Sequence, residues 1–217
     1  RAEVDKAVVR QAVRAGKMSP LGKLSELTWL LGEVPFELVS LADVGIHHQV
    51  DETGETFEQN AALKAETYAR LSGLPTLADD SGLEVDALGG EPGVRSARYA
   101  GEDATDADRI AFLLQKLENV PQERWSARFR CVIALAWPGE PTEFHPGACE
   151  GMIVPEPRGF NGFGYDPVFF IPRMNMTMAE LASDKKNGIS HRSIAVQSAA
   201  KALTKTDNQT KIERTEQ

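Results

Sequence analysis

Two extended stretches, Ala127 to Trp137 and about Thr142 to Val154, are separated only by Pro138-Gly139-Glu140-Pro141. Runs of this kind on either side of a Pro/Gly break fold as an antiparallel hairpin whose connection is longer than two residues. Elsewhere extended and helical signals alternate. Ala7-Val8-Val9, Phe36 to Leu41, Leu74 to Ala78 and Val168 to Ile171 are strand-like. Leu24, Leu27, Leu30 and Leu31 recur at helical spacing, as do Ile110, Leu113, Leu114 and Leu117 in a segment that Thr105 can cap. Thr56-Phe57-Glu58-Gln59 has the capping-box spacing, so a helix is expected from there to Leu71, with Ser72-Gly73 as its stop. A short helix near Thr177 to Ala182 and a final one from about Ser193 to Leu203 complete the series. Helices alternating with strands, plus one long hairpin, predict an α/β protein with a mixed sheet.

Other properties narrow the class. No apolar run reaches the ~20 residues that span a bilayer, and no signal-peptide core opens the chain, so no membrane partner is expected. Two cysteines, Cys131 and Cys149, make no disulfide framework and point to a reducing, cytoplasmic setting. The net charge of −8 disfavours a nucleic-acid polymer, whose affinity comes largely from phosphate neutralisation. A small anionic ligand needs only a few gathered bases. Residues 1–6 are expected to be flexible, 7–203 to form one domain of two lobes, and the polar stretch 204–217 to be a disordered tail.

Four clusters could carry chemistry. Asp79-Asp80-Ser81-Gly82 reads as a strand end followed by a sharp turn; carboxylates there suit Mg²⁺, a hard cation that shares oxygen ligands with phosphates. An Asx-turn closing the strand is the competing reading. Adjacent strand residues point to opposite faces, so only one of the pair should reach a ligand. Asp51 and Glu52 could add a second carboxylate, or form a solvated acidic turn. Lys64 should share a helix face with Asn60.

The segment Arg158-Gly159-Phe160-Asn161-Gly162-Phe163-Gly164-Tyr165-Asp166-Pro167 combines glycines that permit close approach with aromatic faces for a base and an acceptor for its N–H groups. Lys185-Lys186-Asn187-Gly188-Ile189-Ser190-His191-Arg192 reads as a basic loop before the last helix. Zinc spacing, a Walker A loop, a GxGxxG fingerprint and a GxSxG elbow are all absent from the sequence.

In order, Thr53-Gly54 with Phe57, Asn60 to Ala65, Leu77 to Leu83, Gly90 to Gly93 with Ser96 to Gly101, Gly162 to Pro167 and Ile189 to Arg192 closely resemble the inosine triphosphate pyrophosphatase family, the XTP/dITP diphosphatases. The resemblance runs from about Gly22 to Leu203. It implies an elongated mixed β-sheet flanked by helices, two lobes around a central nucleotide cleft, and a homodimer. The implied reaction is Mg²⁺-dependent hydrolysis of ITP, dITP and XTP to the monophosphate and pyrophosphate, cleansing the nucleotide pool. Carried over, Asp80 is the metal-linked carboxylate and proton acceptor, with Glu52 or Asp51 assisting the metal. Ser81 contacts substrate, and Lys23 and Lys64 hold phosphates. Phe163, Gly164, Tyr165 and Asp166 form the base pocket, completed by Lys186, His191 and Arg192. The family's first phosphate loop departs here: aligned on Gly22-Lys23, its usual Asn is missing, although Gly-Lys-x-x-Glu-Leu continues through Glu26 and Leu27. A nucleotide-binding protein with impaired catalysis is therefore the alternative expectation.

Overall fold

The computed structural model describes residues 7–10 and 36–215. Among them one sheet contains β1 (Ala7–Arg10), β2 (Glu37–Ser40), β3 (Thr76–Val85), β4 (Ser126–Ala136), β5 (Glu143–Ile153), β6 (Phe169–Ile171) and β7 (Met176–Thr177), in the order β2-β1-β3-β4-β5-β6-β7. Strand β1 runs parallel to both of its neighbours, with Ala7 opposite Glu37 and Val9 opposite Thr76. At the other end β5, β6 and β7 pair antiparallel, Ile153 opposite Phe169 and Phe170 opposite Thr177. The expected mixed sheet is present, and the long strands β4 and β5 fall within a residue or two of the two stretches either side of Pro138.

The chain forms two compact units: Arg1–Asp80, Val132–Pro146 and Ile194–Gln217 make the first, Ser81–Cys131 and Gly147–Ser193 the second. In the first, helix α1 (Phe57–Ser72) starts where Thr56 Oγ1 accepts from the Gln59 N–H and stops at Gly73, whose left-handed backbone donates back to Ala69 O. The box is only half closed, because the Gln59 side chain accepts from the Glu55 N–H instead of that of Thr56. Phe57, Ala61, Ala65, Tyr68 and Ala69 are buried, as are Val132 to Ala136 of β4. Asn60 and Lys64 are buried too, which is costly unless both are partnered.

In the second unit, helix α2 (Asp106–Leu117) begins with a complete capping box between Thr105 and Asp108. Its Ile110, Leu113 and Leu117 join Leu83, Val85, Phe129, Ile153, Phe169 and Ile171 in one apolar core. Burying each such side chain contributes about 1.5–3 kcal/mol, so this core holds the loops described below on a firm base.

Four expectations need correction. Asp79 to Gly82 do not turn; β3 continues through them to Val85, so that pairing within the sheet overrides the turn preference of Asp-Asp-Ser-Gly. The basic stretch is not a loop: helix α3 (Ser183–Ile189) includes Lys185 and Lys186, and helix α4 (His191–Thr215) starts two residues early. The segment near Thr177 to Ala182 is a single 3₁₀ turn, Met178–Glu180. Finally, α4 extends to Thr215, within the segment 204–217 expected to be a disordered tail, since lengthening an existing helix needs no new nucleus. The helix expected around Leu24 to Leu31 lies outside the described residues. Among the described residues no helix is long and apolar enough to cross a membrane.

Candidate active site

In the first unit the polar residues buried by α1 converge on the end of that unit's part of β3. Asn60 and Lys64, one helical turn apart, lie on the same face as expected. Asn60 Nδ2 donates to Asp80 Oδ2 at 3.1 Å, while Asn60 Oδ1 accepts from the Gly54 N–H at 2.7 Å. The second bond fixes which way the amide points and therefore dictates the first. It also requires glycine, because a Cβ on Gly54 would stand 2.7 Å from Asn60 Oδ1. Lys64 Nζ donates to Glu52 Oε1 at 2.6 Å and lies 3.7 Å from Asp80 Oδ1. Glu52 is thus brought to the lysine, whereas the adjacent Asp51 is exposed.

Electrostatics give these groups unequal roles. Burial pushes the Asp80 carboxyl up to about 6, and Glu52 and Asp79 push the same way, against the Lys64 ammonium and the Asn60 hydrogen bond. Burial acts to lower the Lys64 pKa, but the Asp80, Glu52 and Asp79 carboxylates together raise it, so the ammonium stays charged. The outcome is a desolvated carboxylate that holds protons more tightly than an ordinary aspartate, beside a permanent cation. Such a group suits a general base. As a donor set, the oxygens of Asp80 and Glu52 match a hard divalent cation. Among the described residues no three His, Cys, Asp or Glu side chains gather into a metal-binding group.

The second unit carries a different cluster. Asp166, almost fully buried, accepts from Lys186 Nζ at 2.6 Å and from the Phe163 N–H at 2.9 Å through the same oxygen. Lys186 Nζ stands 4.8 Å, and the Arg192 guanidinium 6.0 Å, from the centre of the Phe163 ring. Arg192 also donates to Ser81 Oγ at 3.3 Å. His191 stacks on Phe129 with ring centres 5.0 Å apart; burial, then the charges of Arg192 and Lys186, hold its pKa well down, so it is neutral near pH 7.

Tyr165 is placed differently from the open stacking face expected of it. Its ring sits in the apolar core and its hydroxyl donates to Ser96 O at 3.0 Å. A residue that the sequence did not single out, Asp106, accepts from the Gly164 N–H at 2.7 Å through its Oδ2. It lies 58 positions before that glycine, outside every motif, so no local signal marked it. Lys23 lies outside the described residues.

Gly162 holds this cluster open. Its φ is +80°, and a Cβ there would meet Asp166 Oδ2 at 1.9 Å and Lys186 Nζ at 3.0 Å. In Gly162→Ala the Asp166–Lys186 pair must separate. The expected result is a thermal midpoint lowered by the equivalent of about 1–2 kcal/mol from the left-handed backbone alone. Calorimetric unfolding checks it.

The fold and these clusters define a class: a mixed-sheet α/β protein with an aspartate–lysine–glutamate centre and a separate aromatic, cation-bearing cluster. The match to the Ham1 family model, over residues 20–202, makes this specific. A protein of Geobacillus kaustophilus named dITP/XTP pyrophosphatase is 53% identical over 188 residues, covering 87% of this chain and 89% of that protein. One of Bacillus subtilis with the same name is 47% identical over 182 residues, 84% of this chain and 92% of its own. The solved structure of a HAM1 protein from Coxiella burnetii superposes with a TM-score of 0.83 at 42% identity, covering 92% of this chain and 98% of that one. This chain belongs to the Ham1 family.

Proposed function

We propose that the chain hydrolyses dITP, XTP and ITP to the nucleoside monophosphate and pyrophosphate, the activity for which its relatives from Geobacillus kaustophilus and Bacillus subtilis are named in respect of dITP and XTP. The observation that carries the reading is Asp80: a buried carboxylate with its proton affinity raised, aimed by Asn60 and flanked by a lysine. Asp80 takes the proton of the water that attacks phosphorus, the α–β anhydride bond breaks, and pyrophosphate leaves. Asp80 and Glu52 would hold Mg²⁺, which when bound offsets the charge of the triphosphate. Lys64 keeps Asp80 ionised and presents positive charge to phosphate.

Phe163 offers its face to the purine, and Asp166 holds Lys186 against that ring. Lys186 and Arg192 carry only N–H donors, which match the 6-oxo group of hypoxanthine and xanthine. The amino group of adenine would meet donor with donor, so ATP is disfavoured. Ser81, held by Arg192, is placed to contact the substrate in the same reading.

The test is a Mg²⁺-containing panel of nucleoside triphosphates with pyrophosphate and orthophosphate measured separately. Pyrophosphate is expected from dITP, XTP and ITP, with ATP turned over at least about tenfold less efficiently, the worth of one mismatched polar contact. Orthophosphate as first product would overturn the mechanism, and tight nucleotide binding with no product would select the non-catalytic alternative.

A further inference from the structure

Asp106 stands at the first position of α2, on no motif that points to substrate, yet both its oxygens are used by groups that matter to the second unit's cluster. Oδ2 accepts the Gly164 N–H at 2.7 Å, and Oδ1 pairs with the guanidinium of Arg109. That guanidinium is buried and also donates to Ala97 O at 3.0 Å and Ala104 O at 2.6 Å. Tyr165, next to Gly164, donates to Ser96 O, and Ser96 Oγ in turn accepts from the Leu83 N–H of β3. The loop Phe163–Asp166 is thus braced on one side by α2 and on the other by the 96–97 turn.

Without the Asp106 bond, the peptide before Gly164 would keep the longer bond in which Phe163 O accepts from the Asp166 N–H at 3.2 Å. Gly164 has φ +59°, and the space where a side chain would begin is open. A charge-assisted bond from a carboxylate is both shorter and stronger than a neutral one, and here it holds that N–H at 2.7 Å.

We infer that Asp106 is a positioning residue for base recognition: by holding the Gly164 amide it sets the pose of the Phe163 ring and of Asp166 with Lys186, and so governs affinity and base selectivity while taking no part in hydrolysis. The inference rests on the proposed assignment of Phe163 to Asp166 to the base.

The full chain is compared with Asp106→Ala and Asp106→Asn, measuring kcat and KM for dITP and for dATP with pyrophosphate as product, and amide hydrogen exchange at Gly164 and along α2. Asparagine offers one acceptor for the two donors, and it serves as the better-folded variant. In Asp106→Ala, KM for dITP should rise about tenfold with kcat changed less than threefold. The ratio of dITP to dATP efficiency should fall, and Gly164 should lose exchange protection while Ile110 to Leu117 keep theirs. Asp106→Asn should fall between. An unchanged KM and selectivity in an active, folded variant would overturn the inference, as would an equal loss of protection along α2, which would mark a merely structural helix cap. If Asp106→Ala does not fold, an Asp106→Asn enzyme with wild-type KM and selectivity overturns it equally. Wild-type protein that releases no pyrophosphate would instead sink the functional reading, leaving the Gly164 exchange result to decide the brace by itself.

Discussion

Asp80→Asn is expected to abolish pyrophosphate release, by roughly 10³-fold or more, and at the same time to make the metal-free protein more stable at pH 8. The loss follows from removing the proton acceptor, since positioned bases contribute about 10²–10⁴-fold. The gain follows from linkage. The folded protein holds the Asp80 proton up to about pH 6, whereas an unfolded aspartate loses it around its ordinary value of 3.8. Between those values the native state binds a proton that the unfolded state has released, so stability falls as pH rises. Below about 4 the penalty is absent; above about 6 it is complete and amounts to at most about 3 kcal/mol at ~1.4 kcal/mol per unit. Asparagine has nearly the same shape, can still accept from Asn60 Nδ2, and leaves Lys64 its 2.6 Å bond to Glu52. Thermal melts of the two proteins without divalent cation should therefore diverge from pH 5 to pH 8 with the variant above. Adding Mg²⁺ should raise the wild-type midpoint more than the variant's. A variant that melts below wild type at pH 8, or that turns over dITP normally, would contradict this account of Asp80.

The features legible in the sequence are those whose cause is local. Thr56 and Thr105 cap their helices because a side-chain oxygen reaches an N–H three residues on, and that depends on nothing distant. The hairpin strands were visible from their length and the Pro/Gly break, and Asn60 with Lys64 from helical spacing. What could not be read was set by contacts distant in the chain. Asp-Asp-Ser-Gly has the composition of a turn, but β3 is held extended by its place in the sheet, and so Asp80 projects from a rigid strand. Asn187-Gly188 suggested a loop, yet Lys186 lies in a short helix whose ammonium meets Asp166, 20 residues earlier. Tyr165 looked like a base platform because aromatic residues suit both a ligand face and a core, and only packing separates the two uses. Glu52 and Asp51 were equivalent by sequence; the reach of Lys64 distinguishes them.

Lys64→Met should be among the most destabilising single changes in the first unit, and its pH dependence should run opposite to that of a simple lost contact. Lys64 is 1% exposed, and its ammonium is the cation that Glu52, Asp80 and Asp79 face. Methionine fills much the same volume, so packing is kept and the change is chiefly one of charge. Breaking a buried ion pair by removing one partner costs about 3–5 kcal/mol, because the remaining charge is left without compensation. Acid relieves that cost: with its cation gone, Asp80 holds a proton still more readily, and protonation removes the stranded charge. The variant's deficit should accordingly be largest at pH 8 and shrink towards pH 5. The double variant Lys64→Met/Asp80→Asn removes charge from both sides, and it should recover part of the stability at pH 8 although neither protein hydrolyses dITP. That recovery is the coupling between the two residues, read directly as a double-mutant cycle. If Lys64→Met melts like wild type at pH 8, or if the double variant is no more stable than the single, then Lys64 does not supply the charge that lets a buried Asp80 stay ionised.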